Sequence, residues 1–310
     1  MIVVLAGGVG AARFLQGLVQ VVPQNEITVI GNTGDDREFY GLHVSPDLDI
    51  VTYTLAGVVD ETHGWGIRND TYHTMGQLTQ YGNDDWFMLG DRDLATHIHR
   101  TNLLRQGKTL SEVTDDLRKH FGLGIRLLPM TDQPVATNII TPVGQLHFQE
   151  YMVKRRCVDE VQGVLFVGVQ EARPAQGVLD ALKEADAILL APSNPIVSIG
   201  TILAVPGIHD ALHETSSMII AVSPIIGGAP IKGPADKLMS GLGMEVSAVG
   251  VARCYRDFLD VMIIDKQDAH LVSEIEDLGI PTIATNTIMR NEESKAALAR
   301  KSLEAAGLSF

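Results

Sequence analysis

Ile2-Val3-Val4-Leu5-Ala6-Gly7-Gly8-Val9-Gly10-Ala11-Ala12-Arg13 is the stretch on which the fold turns. Its apolar run has no polar alternation, which marks a strand covered on both faces, as in parallel sheets. A glycine turn follows, then a helical pattern through Phe14, Leu15 and Leu18. Small residues let the backbone approach an anion, and the first turn of the helix offers free N–H donors, so the turn predicts a phosphate-binding loop. Arg13 stands where the dinucleotide fingerprint needs its third glycine, and the Gly-Lys-Ser/Thr of a P-loop is absent, so neither standard site is expected.

Similar apolar runs return at 27–31, 164–169, 187–191, 218–222, 246–251, 261–265 and 282–285. Helix-sized segments separate several of them, at 176–185, 234–242, 252–260 and 269–278. This alternation predicts an α/β fold with a doubly wound, mainly parallel, Rossmann-like sheet. Residues 60–156 are richer in charge and helix signals. Thr109 and Glu112 form a capping box before a helix that ends near Phe121, and 137–150 reads as a β-hairpin turning at Pro142-Val143-Gly144. We expect 60–156 to be an inserted, mostly helical subdomain, and 1–59 with 157–310 to form the Rossmann-like core.

Composition narrows the partners. The chain has 310 residues, 45% hydrophobic, with 24 Lys and Arg against 38 Asp and Glu, a formal charge of −14. No basic run exceeds Lys154-Arg155-Arg156, so no nucleic acid partner is expected, because binding one needs a cationic face. An acidic protein handles phosphates through backbone N–H groups and a divalent cation. Cys157 and Cys254 stand alone, giving no disulfide framework or zinc motif and fitting a reducing cytoplasm. The uncharged stretch 187–208 is interrupted by Pro192, Asn194, Pro195, Gly200 and Pro206, so no membrane span is expected, and Met1–Leu5 lacks the basic flank of a signal peptide.

Beyond the first loop, five segments concentrate chemistry. Gly31-Asn32-Thr33-Gly34-Asp35-Asp36 ends the second strand, where Asp35 would ligate Mg2+ and Asn32 would bond a ribose or phosphate, unless it is a plain polar turn. Ser45-Pro46-Asp47-Leu48-Asp49 is a well-made helix start, yet it adds carboxylates that repel unless a cation neutralises them. Gly64-Trp65-Gly66-Ile67-Arg68 puts a tryptophan on a loop, and Trp86-Phe87-Met88-Leu89-Gly90-Asp91-Arg92-Asp93 joins an apolar wall to a helix start at which Asp91 would serve as N-cap. Arg92, between two carboxylates, would be held ready for an anion. Ser193-Asn194-Pro195 and the loop 223–234, with Lys232 its one cation, follow later strands where ligand loops sit in open sheets.

Taken together, Ala6 to Phe14, Asn32 to Asp36, Pro46 to Asp49, Gly64-Trp65-Gly66, Trp86 to His97 and Ser193-Asn194-Pro195 resemble the 2-phospho-L-lactate transferase family, across nearly the whole chain. The segment Leu89-Gly90-Asp91-Arg92-Asp93-Leu94-Ala95-Thr96-His97 is the most specific part. The resemblance implies a Mg2+-dependent enzyme of coenzyme F-420 biosynthesis. It would move a phospholactyl group from lactyl-diphosphoguanosine to the deazaflavin precursor Fo and release GMP. Carried onto this chain, Gly7, Gly8 and Gly10 would hold the diphosphate, and Asp35 and Asp47 the cation. Asp49 would contact or deprotonate the Fo ribityl hydroxyl, with Asp35 its catalytic companion. Trp86 and Met88 would line the ring pocket, Ser193 and Asn194 would face the guanine or the ring, and Asn32, Asp36, Arg68, Asp91, Arg92 and Lys232 would complete the substrate contacts. The rival expectation is a nucleotide-sugar-binding regulator of carbon metabolism with a related fold; an NAD-dependent dehydrogenase fits less well because of Arg13. Whether the donor carries lactate or a phosphoenolpyruvate-derived group stays open, and a homodimer is expected because cyclic dimers are the commonest soluble assembly.

Overall fold

The computed structural model describes residues 1–309. The first half contains β1 (Ile2–Ala6), α1 (Gly8–Leu18), β2 (Ile27–Gly31), β3 (Arg37–Phe39), β4 (Leu42–Val44), α2 (Pro46–Leu55), α3 (His73–Gln80), α4 (Asp91–Arg105), α5 (Leu110–His120), β5 (Arg126–Pro129), β6 (Ala136–Thr141) and β7 (Gly144–His147). The second half contains β8 (Gly163–Val167), α6 (Val178–Glu184), β9 (Ala187–Leu190), α7 (Ile199–Ala204), α8 (Ile208–Glu214), β10 (Met218–Val222), β11 (Ile225–Ile226), β12 (Ala229–Pro230), α9 (Ala235–Gly241), α10 (Ala248–Tyr255), β13 (Val261–Asp265), α11 (Val272–Glu276), β14 (Thr282–Thr285) and α12 (Glu292–Ala305).

Seven parallel strands make the central sheet, in the order β14-β13-β10-β9-β1-β2-β5. Every residue of β1 is buried because the sheet is covered on both faces. Val3 and Leu5 point into the layer holding Ile199, Ile202 and Val251, whereas Ile2, Val4 and Ala6 point into the layer holding Phe14, Leu15 and Leu298. Two-residue alternation within an unbroken apolar run is what places both layers, and each fully buried Leu or Ile contributes about 2 kcal/mol. From β1 the chain winds outward through β2 and β5 on one side and β9, β10, β13 and β14 on the other. The order therefore reverses between β1 and β9, opening a crevice at the carboxyl ends of these strands.

Three elements depart from the sequence expectation. Residues 126–129, assigned to the insert, form the edge strand β5 against β2, because Leu127 and Leu128 carry enough buried apolar surface to extend the sheet. The run at 164–169, expected in the main sheet, instead forms β8, which pairs antiparallel with β6 in a separate sheet ordered β7-β6-β8. Leu165 and Val167 of β8 are 46% and 43% exposed, so this apolar run is covered on one face only. The run at 246–251 opens helix α10, which starts at Ser247, whose hydroxyl accepts from the Gly250 N–H. Its first five residues, Ala248 to Ala252, are all buried, so the run shows no polar face to distinguish it from a strand. The capping box at Thr109 and Glu112 forms as expected, before a helix ending at His120. Among the described residues, no helix is long and apolar enough to cross a membrane.

Candidate active site

The turns after β1, β2 and β9 meet at the crevice. The Gly7 N–H donates to Ser193 Oγ at 3.3 Å, tying the first glycine turn to the turn after β9. A side chain at position 7 would meet Ser198 Cβ at 2.7 Å and Asp47 Oδ2 at 2.8 Å, so only glycine fits there. Gly8, at φ 73°, takes a backbone shape that other residues rarely adopt, and its N–H is directed at Asp47. Gly10 has a different reason: a Cβ would fall 2.2 Å from the Pro192 carbonyl oxygen, so its place in the turn is explained by helix-to-strand packing. Asn194 uses Oδ1 to accept from the Ile196 and Val197 N–H groups, shaping its own turn.

Against the glycine turn lies a buried acidic cluster. Asn32 Nδ2 donates to Asp47 Oδ2 at 2.8 Å, and Asn32 Oδ1 accepts from the Gly34 N–H at 2.9 Å, which locks the turn after β2 to the start of α2. Ser45 precedes α2 without capping it; its hydroxyl donates to Asp36 Oδ2 at 2.7 Å, where His43 Nε2 also lies at 3.0 Å. Gln149 Nε2 reaches Asp35 Oδ2 at 3.4 Å, but Asp35 Oδ1 and Asp36 Oδ1 are buried with no hydrogen-bond partner. Burial, then the neighbouring Asp47 and Asp36 charges, push the Asp35 carboxyl well above its ordinary value. Burial also raises Asp36, and it raises Asp47 to about 6 against the opposing bonds from Asn32 and Gly8. A cluster whose carboxylates are desolvated, mutually repelling and partly unpartnered suits a hard divalent cation, and oxygen-only donors are the set Mg2+ prefers. Asp35 and Asp47 fit that role.

Asp49 occupies a different environment from the one expected of a base. Both of its oxygens accept from the buried Arg100, whose Nη1 also lies 3.1 Å from His97 Nδ1. His97 Nε2 in turn lies 3.2 Å from Asp93 Oδ1. Tyr53 donates to the same Asp93 oxygen at 2.7 Å. Burial alone would raise Asp93, but His97 and Tyr53 outweigh it and hold the carboxyl below its ordinary value. Asp49 is thus one end of a buried chain running through Arg100, His97 and Asp93 to Tyr53, which anchors α2 to α4. The residues beyond Asp49 were not assigned roles from sequence, although Asp93, His97 and Arg100 at spacings of four and three are the signature of one helix face.

An aromatic wall stands beside the acids. Phe39 stacks on Phe87 with centroids 3.9 Å apart and meets Trp86 edge-on at 5.4 Å. Arg37, which follows Asp36, lies over Trp86 at 5.5 Å, and Lys154 at 5.7 Å. Met88 is 36% exposed next to this cluster. Arg37, His43, Gln149 and Arg100 are therefore part of the site's surroundings that composition and motif did not single out.

The remaining candidates lie elsewhere. Asp91 does not cap its own helix: its carboxylate accepts from Thr71 Oγ1 and from the His73 and Thr74 N–H groups, capping α3 and held well below its ordinary value by those bonds. The cap of α4 is Asp70, which accepts from the Arg92 and Asp93 N–H groups. Arg92 bonds the Arg68 carbonyl and Arg68 the Gly57 carbonyl, so both brace the 57–70 segment. Asp91 thus has a structural role in capping α3, and Arg92 and Arg68 each spend one guanidinium nitrogen on a backbone carbonyl, with their side chains exposed. Lys232 Nζ donates to the His63 carbonyl at 3.3 Å; burial, with Arg13 nearby, lowers its pKa.

A family model described as 2-phospho-L-lactate transferase CofD matches residues 2–299. A protein of Streptomyces griseus named phosphoenolpyruvate transferase is 49% identical, covering 98% of each chain. One of Methanococcoides burtonii named 2-phospho-L-lactate transferase is 40% identical, covering 96% of this chain and 97% of that one. The crystal structure of a upf0052 family member from Bacillus halodurans superposes with a TM-score of 0.64 at 14% identity, covering 97% of this chain and 98% of that one. At that identity it speaks for the fold alone.

Proposed function

Because the chain belongs to the CofD family of 2-phospho-L-lactate transferases, we propose that it moves a phospholactyl group from lactyl-diphosphoguanosine to the ribityl hydroxyl of Fo. GMP is released, in coenzyme F-420 biosynthesis. The observation that carries this reading is the gathering of Asp35 and Asp47, both buried, with Asp36 beside them and one oxygen each of Asp35 and Asp36 unpartnered, against the glycine turn at the point where the sheet order reverses. Mg2+ dependence, a homodimer and a cytoplasmic setting belong to the same proposal.

The hydroxyl oxygen forms a bond to the phosphorus bearing lactate, the bond from that phosphorus to the GMP oxygen breaks, and the hydroxyl proton leaves with the GMP phosphate. Such transfers depend mainly on positioning and charge neutralisation, with little demand for a strong base. In this reading the Gly7 to Gly10 turn cradles the diphosphate, and Asp35 with Asp47 holds Mg2+, which when bound supplies the neutralising charge. Asp49, fixed by Arg100, shapes the field beside the acceptor hydroxyl. Trp86 and Met88 give the deazaflavin a flat apolar wall, and Lys232 with Arg13 adds positive charge to the rim.

A second reading concerns the donor. The 49% identical Streptomyces griseus relative is named phosphoenolpyruvate transferase, which favours a phosphoenolpyruvyl group in place of phospholactyl. Fo fluorescence followed in titrations with and without GDP and Mg2+ tests the two-substrate site. Saturable binding, tightened by GDP with Mg2+ and weakened by Trp86→Ala, is expected. Nucleotide binding with no uptake of Fo would favour the nucleotide-sugar-binding regulator and overturn the roles of Trp86 and Met88.

A further inference from the structure

On the outer surface of the helical segment, His99 projects from α4 towards Asp116 and His120 on α5. Asp116 and His120 are four residues apart and so share one helix face. His99 Nε2 lies 2.7 Å from Asp116 Oδ2, and His120 Nδ1 lies 3.4 Å from the same oxygen. One donor atom from each residue falls within 4.8 Å of the others. Zinc bonds to nitrogen and carboxylate oxygen run to about 2.1 Å, which sets tetrahedral ligand atoms roughly 3.4 Å apart. The three groups are therefore already near the spacing that a bound metal imposes.

We propose that His99, Asp116 and His120 form a surface site for a divalent transition metal of the Zn2+ class, clipping α4 to α5. The chemistry of the donors separates it from the acidic cluster. Two imidazoles with one carboxylate select Zn2+, Co2+ or Ni2+, whereas Mg2+ goes to the oxygen-only set. Side-chain exposures of 44%, 30% and 69% for His99, Asp116 and His120 leave the outer coordination position to water. Coordination exchanges two contacts for the metal: the 2.7 Å His99 Nε2–Asp116 Oδ2 bond, whose proton leaves Nε2, and the 2.9 Å contact of His120 Nδ1 with the Asp116 carbonyl oxygen. The clip would act close to the buried Asp49–Arg100 pair, because Arg100 follows His99 on α4.

The test is a calorimetric titration of the untagged, full-length protein with Zn2+ and then Co2+, in excess Mg2+, with thermal unfolding recorded alongside. The His99→Asn/His120→Asn double variant provides the comparison, and His209→Asn/His213→Asn controls for another histidine pair near an acid, Asp257 on the turn after α10. The proposal expects one zinc equivalent and a four-coordinate Co2+ absorption that the first double variant loses and the second keeps. It also expects Zn2+ to raise Tm by a few degrees in the wild type and not in the His99→Asn/His120→Asn variant. Equal stoichiometry and equal Tm shifts in wild type and that variant would overturn it. So would an absence of Zn2+ binding, which would leave the three residues as an ion-paired surface contact.

Discussion

Asp47→Asn removes a charge that the fold tolerates at a cost. Burial lifts the Asp47 carboxyl from its ordinary 3.8 to about 6. At 1.36 kcal/mol per pKa unit, the ionised form destabilises the native state by about 3 kcal/mol. The sign follows from proton linkage: between these two pKa values the folded protein binds more protons than the unfolded chain. Stability held by the protonated form is therefore complete below pH 3.8 and is lost as pH rises through about 6. An asparagine at 47 keeps an oxygen for the Asn32 amide and carries no charge. In metal-free buffer the variant should match the wild type near pH 4 and exceed it in denaturant midpoint at pH 7.5, with a gap approaching ~3 kcal/mol. Millimolar Mg2+ should close the gap by stabilising the wild type alone, while the variant loses transfer activity. Equal or lower stability of Asp47→Asn at pH 7.5 without metal would refute the reasoning that this carboxylate is held at a loss for function.

Three further outcomes are expected. Gly10→Ala would force a Cβ to within 2.2 Å of the Pro192 carbonyl, so differential scanning should show destabilisation of roughly 1–3 kcal/mol with weaker GDP binding. Arg100→Ala would leave Asp49 buried and unpaired, lowering stability by about 3–5 kcal/mol in urea melts; the pair Arg100→Met with Asp49→Leu should recover much of it yet remain without transfer activity. Burial raises the Cys254 thiol to about 11 and the Cys157 thiol above its ordinary value, so mass spectrometry at pH 7.5 should find both slow to react with iodoacetamide until denaturant is added.

The parallel core was legible because its strands are continuous apolar runs buried on both faces, and the glycine turn could be placed at its edge from residues 2–13 alone. Periodicity failed where burial hid or mimicked it. The first turns of helix α10, Ala248 to Ala252, are buried on every side and read as a strand, and β8 is apolar yet half exposed and read as core. In the site, the acidic cluster was visible as short-range spacing, since Asp35 and Asp36 end the turn after β2 and Asp47 opens α2 shortly after. What stayed hidden were partnerships across the fold. Nothing local tells Asp49 that Arg100, 51 residues on, will take its oxygens, or that Asp70 and Asp91 will each cap a helix 17 to 23 residues away in the chain. Hydrogen-bond accounting in three dimensions decided those roles.

The most direct test of the central claim is a transfer assay with purified protein, Fo and Mg2+, supplied in parallel with lactyl-diphosphoguanosine and its phosphoenolpyruvyl counterpart. Mass spectrometry would follow the Fo adduct and GMP together. The account predicts one phosphodiester-linked Fo product for each GMP released, from at least one donor, and its loss in Asp35→Asn. Failure to form an adduct from either donor, with Fo and GDP both bound, would contradict it.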